Sequence, residues 1–159
     1  DWAYTIASHR DFPGWGYMLE NGATTLWESW KYPDNAPSQN HPMFGSIDEW
    51  FYRSILGINP ATPGFKQIII KPQPAGDLRW AQGSYRSVYG LITTEWKKAN
   101  GKFELKVSIP ANTNAEVWVP SSGGLHESNG VPIGSPSREG NYEVVRLGSG
   151  SYSLESALQ

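Results

Sequence analysis

The sequence contains no cysteine, so neither a disulfide framework nor a thiolate metal site can hold the fold, and thiol usage carries no message about compartment. Clustered positive charge is also missing. With 13 Lys and Arg against 15 Asp and Glu, the formal net charge is −2, and no basic stripe offers a footprint for nucleic acid or an anionic membrane. Apolar runs are far too short to span a bilayer. The chain starts at Asp1 with neither an initiator Met nor a basic and apolar leader, which reads as a processed or excised piece. Three histidines, His9, His41 and His126, show no metal-ligand spacing with one another or with a nearby carboxylate, so no metal or other cofactor is expected. Gly14-Trp15-Gly16 lacks the third glycine and the βαβ context of a dinucleotide site, and no Gly-x-Ser-x-Gly elbow occurs. These absences leave neutral ligands as the expected partners.

Rings and turns are abundant. Aromatic residues make up 13% of the chain, with 8 Trp and 8 Tyr, and 17 Gly and 12 Pro punctuate it often. Gly and Pro are poor in helix interiors and frequent between short strands, which favours a turn-rich β architecture. The 159 residues suffice for one domain or two very small ones.

The first third reads as helical. A turn or two is expected around Trp2, Tyr4 and Ile6, and a short helix ending near Asn21-Gly22, a pair suited to a left-handed C-cap. Residues 31–42 read as a loop rich in Pro, Asp and Asn. Ser46-Ile-Asp-Glu49 has the form of a capping box, which assigns Glu49 to structure. Ile47, Trp50, Phe51, Ser54 and Ile55 then share a face at helical spacing until Gly57. Residues 58–64, rich in Pro and Gly, form the expected boundary.

Beyond it the periodicity becomes that of strands. Lys102 to Pro110 alternates strictly, with Phe103, Leu105, Val107 and Ile109 on one face. Asn100-Gly101 is a strong hairpin signal. About seven short strands separated by Gly-rich turns argue for an antiparallel β-sandwich. Trp80, Trp96 and Trp118 on those strands are expected mainly in the core, with a carbohydrate-binding face as the other use of such rings.

The stretch with the clearest chemistry is Gly22-Ala-Thr-Thr-Leu-Trp-Glu28-Ser-Trp30, followed by Asn40-His41. Trp27 and Trp30 flank Glu28, and such a set suits a sugar: ring faces stack on the apolar side of a pyranose, while carboxylate, hydroxyl and imidazole meet its hydroxyls. A carboxylate so placed can also act as acid or base.

The run from Gly14 to Glu28, with Asn40-His-Pro-Met-Phe-Gly45 and Asp48-Glu-Trp-Phe51, resembles the last part of the catalytic domain of bacterial α-L-rhamnosidases, the family 78 glycoside hydrolases. Pro63 to Pro72, Ser84 to Gly90 and Ile109 to Pro120 resemble the β-sandwich that follows it in those enzymes. The resemblance implies an α+β chain in which residues 1–60 are the end of an (α/α)6 barrel and 61–159 an antiparallel sandwich. It implies a bacterial enzyme of carbohydrate metabolism that releases terminal α-L-rhamnose with inversion. Glu28 falls on the position taken as general base. His41 falls in the sugar pocket, and the pattern around Glu28 adds Trp27 and Trp30 as further substrate-binding candidates. The family's general acid lies upstream of anything in this chain, so the implied partners are a rhamnose-containing glycan and the rest of the parent enzyme, and the chain alone is expected to be inactive. The alternative is a non-catalytic carbohydrate-binding or structural β-sandwich module with Glu28 as a surface acid.

Overall fold

A computed structural model describes residues 2–31 and 38–158, so part of the loop expected over 31–42 lies outside the described residues. The chain divides into two compact units, one of Asp1–Phe51 with Ala75–Asp77, the other of Tyr52–Pro74 with Leu78–Gln159. Short helices followed by a sandwich of two sheets give the expected α+β class.

The first unit carries α1 (Trp2–Ser8), α2 (Trp15–Glu20), a 3-10 turn at Pro42–Phe44 and α3 (Ser46–Trp50). None of the three helices is long enough to be stable without packing. Helix α1 nevertheless buries no residue, and Trp2 is 85% exposed. Helix α2 starts where the backbone passes close to residue 9: a Cβ on Gly14 or Gly16 would lie 2.7 or 2.4 Å from the His9 carbonyl oxygen. It ends as the sequence indicates. Asn21 is the C-cap, Gly22 takes φ +82, and the Gly22 and Ala23 amides donate to the Leu19 and Met18 carbonyls.

The start of α3 differs from expectation. Gly45 occupies the N-cap and no side chain caps it, so Ser46 already lies inside the helix and the Ser46–Glu49 box does not form. Its place is taken one turn earlier, where the Pro42–Phe44 turn leads in and His41 caps it. The helix then widens into a π-segment, Phe51–Ile55. That change of pitch breaks the single apolar face: Ile47 and Ile55 are buried, Trp50 is half-buried and Phe51 is exposed. Return residues Ala75–Asp77 complete the unit, the Tyr4 hydroxyl donating to Asp77 Oδ1.

The second unit holds ten strands in two five-stranded sheets, more than the seven expected. They are β1 (Ile58–Pro60), β2 (Gln67–Ile70), β3 (Trp80–Ser87), β4 (Gly90–Ala99), β5 (Lys102–Ile109), β6 (Asn114–Pro120), β7 (Gly123–Glu127), β8 (Ser137–Glu139), β9 (Tyr142–Leu147) and β10 (Gly150–Ala157). One sheet runs β1-β2-β6-β9-β8 and the other β3-β4-β5-β10-β7. The added strands are short edges. Strand β1 lies in the segment read as a boundary loop, and its Pro60, opposite Ile68, is tolerated because the strand is at an edge. Pairing is antiparallel except between β2 and β6, since the chain builds β3, β4 and β5 in the other sheet before returning.

Alternation on β5 places Phe103, Leu105, Val107 and Ile109 inside, facing Ile68, Ile70, Val117 and Val119 of the other sheet across one core. Trp96 is 1% exposed, stacks on Phe103 at 5.7 Å and donates from Nε1 to the Ile55 carbonyl at 2.7 Å. Each such ring or branched side chain contributes about 1.5–3 kcal/mol by leaving water. Asn100 and Gly101 both take positive φ, 52° and 72°, closing β4 onto β5 as the hairpin signal requires. Gly57 is fixed more tightly still. Its φ is +76, and any Cβ would fall 2.2 Å from the Lys71 carbonyl carbon.

Candidate functional site

Glu28 lies in the first unit, just after the left-handed end of α2. Thr24 to Lys31 form no helix or strand, yet they are not loose. The Glu28 amide donates to the Ser38 carbonyl at 3.1 Å and the His41 amide to the Leu26 carbonyl at 2.8 Å. The Thr25 hydroxyl donates to the Gln39 carbonyl. These three bonds clasp residues 25–28 against 38–41, so the carboxylate and the imidazole, distant in sequence, stand on facing segments.

His41 is oriented by its own turn. Its Nδ1 accepts the Met43 amide proton at 3.1 Å, which caps the Pro42–Phe44 turn. A ring nitrogen that accepts a backbone N–H carries no proton, so in the neutral ring the proton sits on Nε2, the atom left to face a ligand. Helix-start geometry thus selects the tautomer.

The two indoles differ. Trp27 is 3% exposed, and its ring is part of the interior of this unit. Trp30 is half-buried and packs on Phe44 at 3.9 Å and edge-on to Trp15 at 5.1 Å. Trp15 closes the cluster by donating from Nε1 to the Phe44 carbonyl at 3.1 Å. Sequence reasoning did not assign Trp15 and Phe44 to this neighbourhood, because aromatic contacts across such separations leave no periodic signature.

Glu28 itself is half-buried, and among the described residues no hydrogen bond or ion pair holds its carboxylate. Two other carboxylates of this unit are held by partners. Glu20 pairs with Arg10 at 2.9 Å, and Asp77 accepts from Tyr4, whose hydroxyl is held above its ordinary pKa first by that bond and then by burial. A half-buried carboxylate without a partner among the described residues is available to take a proton from water or to accept from a sugar hydroxyl. Among the described residues no three His, Asp or Glu side chains gather as a metal site would require.

Two family descriptions cover most of the chain. Residues 1–55 match the bacterial alpha-L-rhamnosidase 6 hairpin glycosidase domain, and residues 57–130 match the bacterial alpha-L-rhamnosidase C-terminal domain. The chain belongs to the bacterial α-L-rhamnosidase family. An alpha-L-rhamnosidase of Streptomyces avermitilis is 36% identical over 96% of this chain. The crystal structure of the Streptomyces avermitilis alpha-L-rhamnosidase complexed with L-rhamnose superposes with a TM-score of 0.86 at 36% identity over 96% of the chain. That of the alpha-L-rhamnosidase from Dictyoglumus thermophilum does so with a TM-score of 0.86 at 38% identity, again over 96%. The chain spans only 15% of the Streptomyces relative's sequence, and 16% and 18% of the two solved chains. It corresponds to the C-terminal region of these glycoside hydrolases.

Proposed function

We propose that this chain supplies the water-activating half of an inverting α-L-rhamnosidase active site, with Glu28 as the general base. Residues 1–60 are read as the end of the (α/α)6 barrel and 61–159 as the sandwich that follows it. The observation that carries the reading is the half-buried Glu28 carboxylate, without a partner among the described residues, on a segment clasped to the one that bears His41.

In the proposed reaction Glu28 takes a proton from water as its oxygen attacks the anomeric carbon. The bond from that carbon to the glycosidic oxygen breaks, and a second carboxyl group, about 6.5–9.5 Å away in such enzymes, protonates the leaving oxygen. Rhamnose is released with its anomeric configuration inverted, and the aglycone leaves as an alcohol. His41 donates from Nε2 to a sugar hydroxyl, and Trp30 offers its half-buried ring to the apolar face of the sugar. Trp27 forms the interior wall behind Glu28. The acid comes from a region of the relatives that this chain does not include, so the 159-residue chain alone has no turnover.

Release of chromophore from an aryl α-L-rhamnoside tests this in two arms. The chain alone should be inactive, and Glu28→Gln in the full-length enzyme should lower kcat by several orders of magnitude while leaving the unfolding midpoint nearly unchanged. Near-normal turnover of that variant removes Glu28 from the chemistry, and turnover by the isolated chain disproves the divided site.

A further inference from the structure

The outer face of the sheet β3-β4-β5-β10-β7 has a composition that packing does not explain. One rung crosses four strands as Ser84, Thr93, Ser108 and Ser151, each directly opposite the next. Four short hydroxyls here make a low floor about three interstrand steps, or ~14 Å, long. The neighbouring rung is tall. Gln82 stands opposite Glu95, and Glu95 opposite Lys106, with the latter two paired at 3.3 Å. Trp80, 65% exposed, stands at the next outward position of β3. Low floor and tall rims enclose a groove of about 640 Å³, a size ordinary for ligand sites, which run to ~300–1,000 Å³.

The far rim is held rigid. Asn129, in the turn after β7, lines the groove and donates from Nδ2 to Ser153 Oγ at 2.9 Å. Its turn is tied down by Glu127, whose Oε2 accepts the Asn129 and Val131 amides at 2.7 and 2.9 Å and whose Oε1 accepts the Ser153 amide at 2.9 Å. An edge that mobile Gly-Gly and Asn-Gly sequences would leave loose is thereby fixed before any ligand arrives, which lowers the entropy lost on binding.

We propose that this groove binds a neutral oligosaccharide. Its chemistry selects that class. Hydroxyls and amides both donate and accept, as a polyol requires, and the exposed indole of Trp80 provides a face for the apolar side of a sugar ring. The groove's charged side chains, Glu95 and Lys106, neutralise each other, so nothing rewards an ionic ligand. The length of the floor suits several sugar units in a row rather than one. This site lies entirely in the second unit and is independent of Glu28.

Affinity electrophoresis of the 159-residue chain in native gels provides the test. Gels containing galactomannan, xyloglucan or arabinan serve as neutral probes and polygalacturonate as the charged one. Retardation is expected in at least one neutral gel and not in polygalacturonate. Trp80→Ala should weaken it at least about tenfold, as expected for an anchoring aromatic. Ser84→Arg, which fills the floor from an exposed position, should do the same, and Val88→Ala, exposed outside the groove, should leave it intact. Should Trp80→Ala lose native circular dichroism, Ser84→Arg decides alone. The proposal falls if no neutral polysaccharide retards the chain, if polygalacturonate retards it equally, or if folded groove variants migrate as the unaltered chain does.

Discussion

Trp96, in the second unit, is 1% exposed, stacked on Phe103 and hydrogen-bonded through Nε1; Trp2, in the first, is 85% exposed on a helix that buries nothing. The same residue type meets opposite fates because the two units close their cores differently. Each sheet of the sandwich offers one apolar face, and the two faces cover each other. Three short helices cannot do this. In the first unit Met18, Trp27 and Ile47 are buried, while Trp2, Ile6 and Leu19 remain on the surface. An apolar cavity of about 320 Å³ opens between Met18, Leu26, Ile47 and Phe51. Exposed apolar surface of this kind marks an interaction face, and on the proposed reading its partners are the other helices of the barrel. The lesson is that the sandwich carries its own partner, whereas the short-helix unit leaves apolar surface that a partner must cover.

The largest expected effect lies in the closed core. Phe103→Ala should cost about 3–5 kcal/mol, because a cavity replaces a ring on which Trp96 stacks, and urea unfolding followed by far-UV circular dichroism reads it. Gly57→Ala should follow at roughly 2 kcal/mol or more, since both the positive φ and the Lys71 backbone forbid a Cβ. A cost below half of that would show that the turn can relax. His41→Ala removes a cap worth about 1 kcal/mol, and hydrogen exchange should quicken at the Met43 amide while amides of β5 keep their protection. Equal loss in both regions would contradict the separation of the two units.

A pH series sharpens the contrast from the sandwich side. The Glu127 carboxylate is held below its ordinary pKa, first by the Ser153 amide and then by those of Val131, Asn129 and Gly130. A carboxylate with a depressed folded pKa stabilises the fold at neutral pH, and the contribution is lost as pH falls through the folded value. Glu127→Gln should therefore be less stable than the unaltered chain at neutral pH, with the difference shrinking below ~4.3, the usual Glu value. A difference independent of pH would mean that the amide bonds do not depend on the charge. The smallest effect is expected at Leu19→Ser, 71% exposed on α2, which should shift stability by no more than ~0.5 kcal/mol. A loss of several kcal/mol there would break the comparison, because it would mean that the first unit already has its partner.

Much of the sandwich was readable before its structure. Strict alternation over Lys102–Ile109 and the Asn100-Gly101 turn located β5 and its hairpin, because a two-residue period and a positive-φ pair are local properties. The edge strands β1, β7 and β8 were not readable. They are only three to five residues long, β1 carries a Pro and β7 two Gly, and all three exist because a neighbouring strand offers hydrogen bonds. In the candidate site, Glu28 and His41 were singled out by residue type and resemblance. The clasp between 25–28 and 38–41, by contrast, consists of backbone bonds and a threonine hydroxyl that no side-chain pattern announces. The Ser46–Glu49 motif misled for a physical reason. The 3-10 turn ahead of it had already started the helix, so the free amides that a capping box serves were no longer there.

The Tyr4–Asp77 bond makes the first unit discontinuous in sequence, and this sets an order of events on the ribosome. Tyr4 is made well before its acceptor, which emerges only after β1 and β2 have been synthesised. The helical unit therefore cannot complete itself as its own residues appear. Its last fastening waits until translation of the sandwich is under way, so any pause between residues 51 and 77 prolongs the exposure of its unfinished surface.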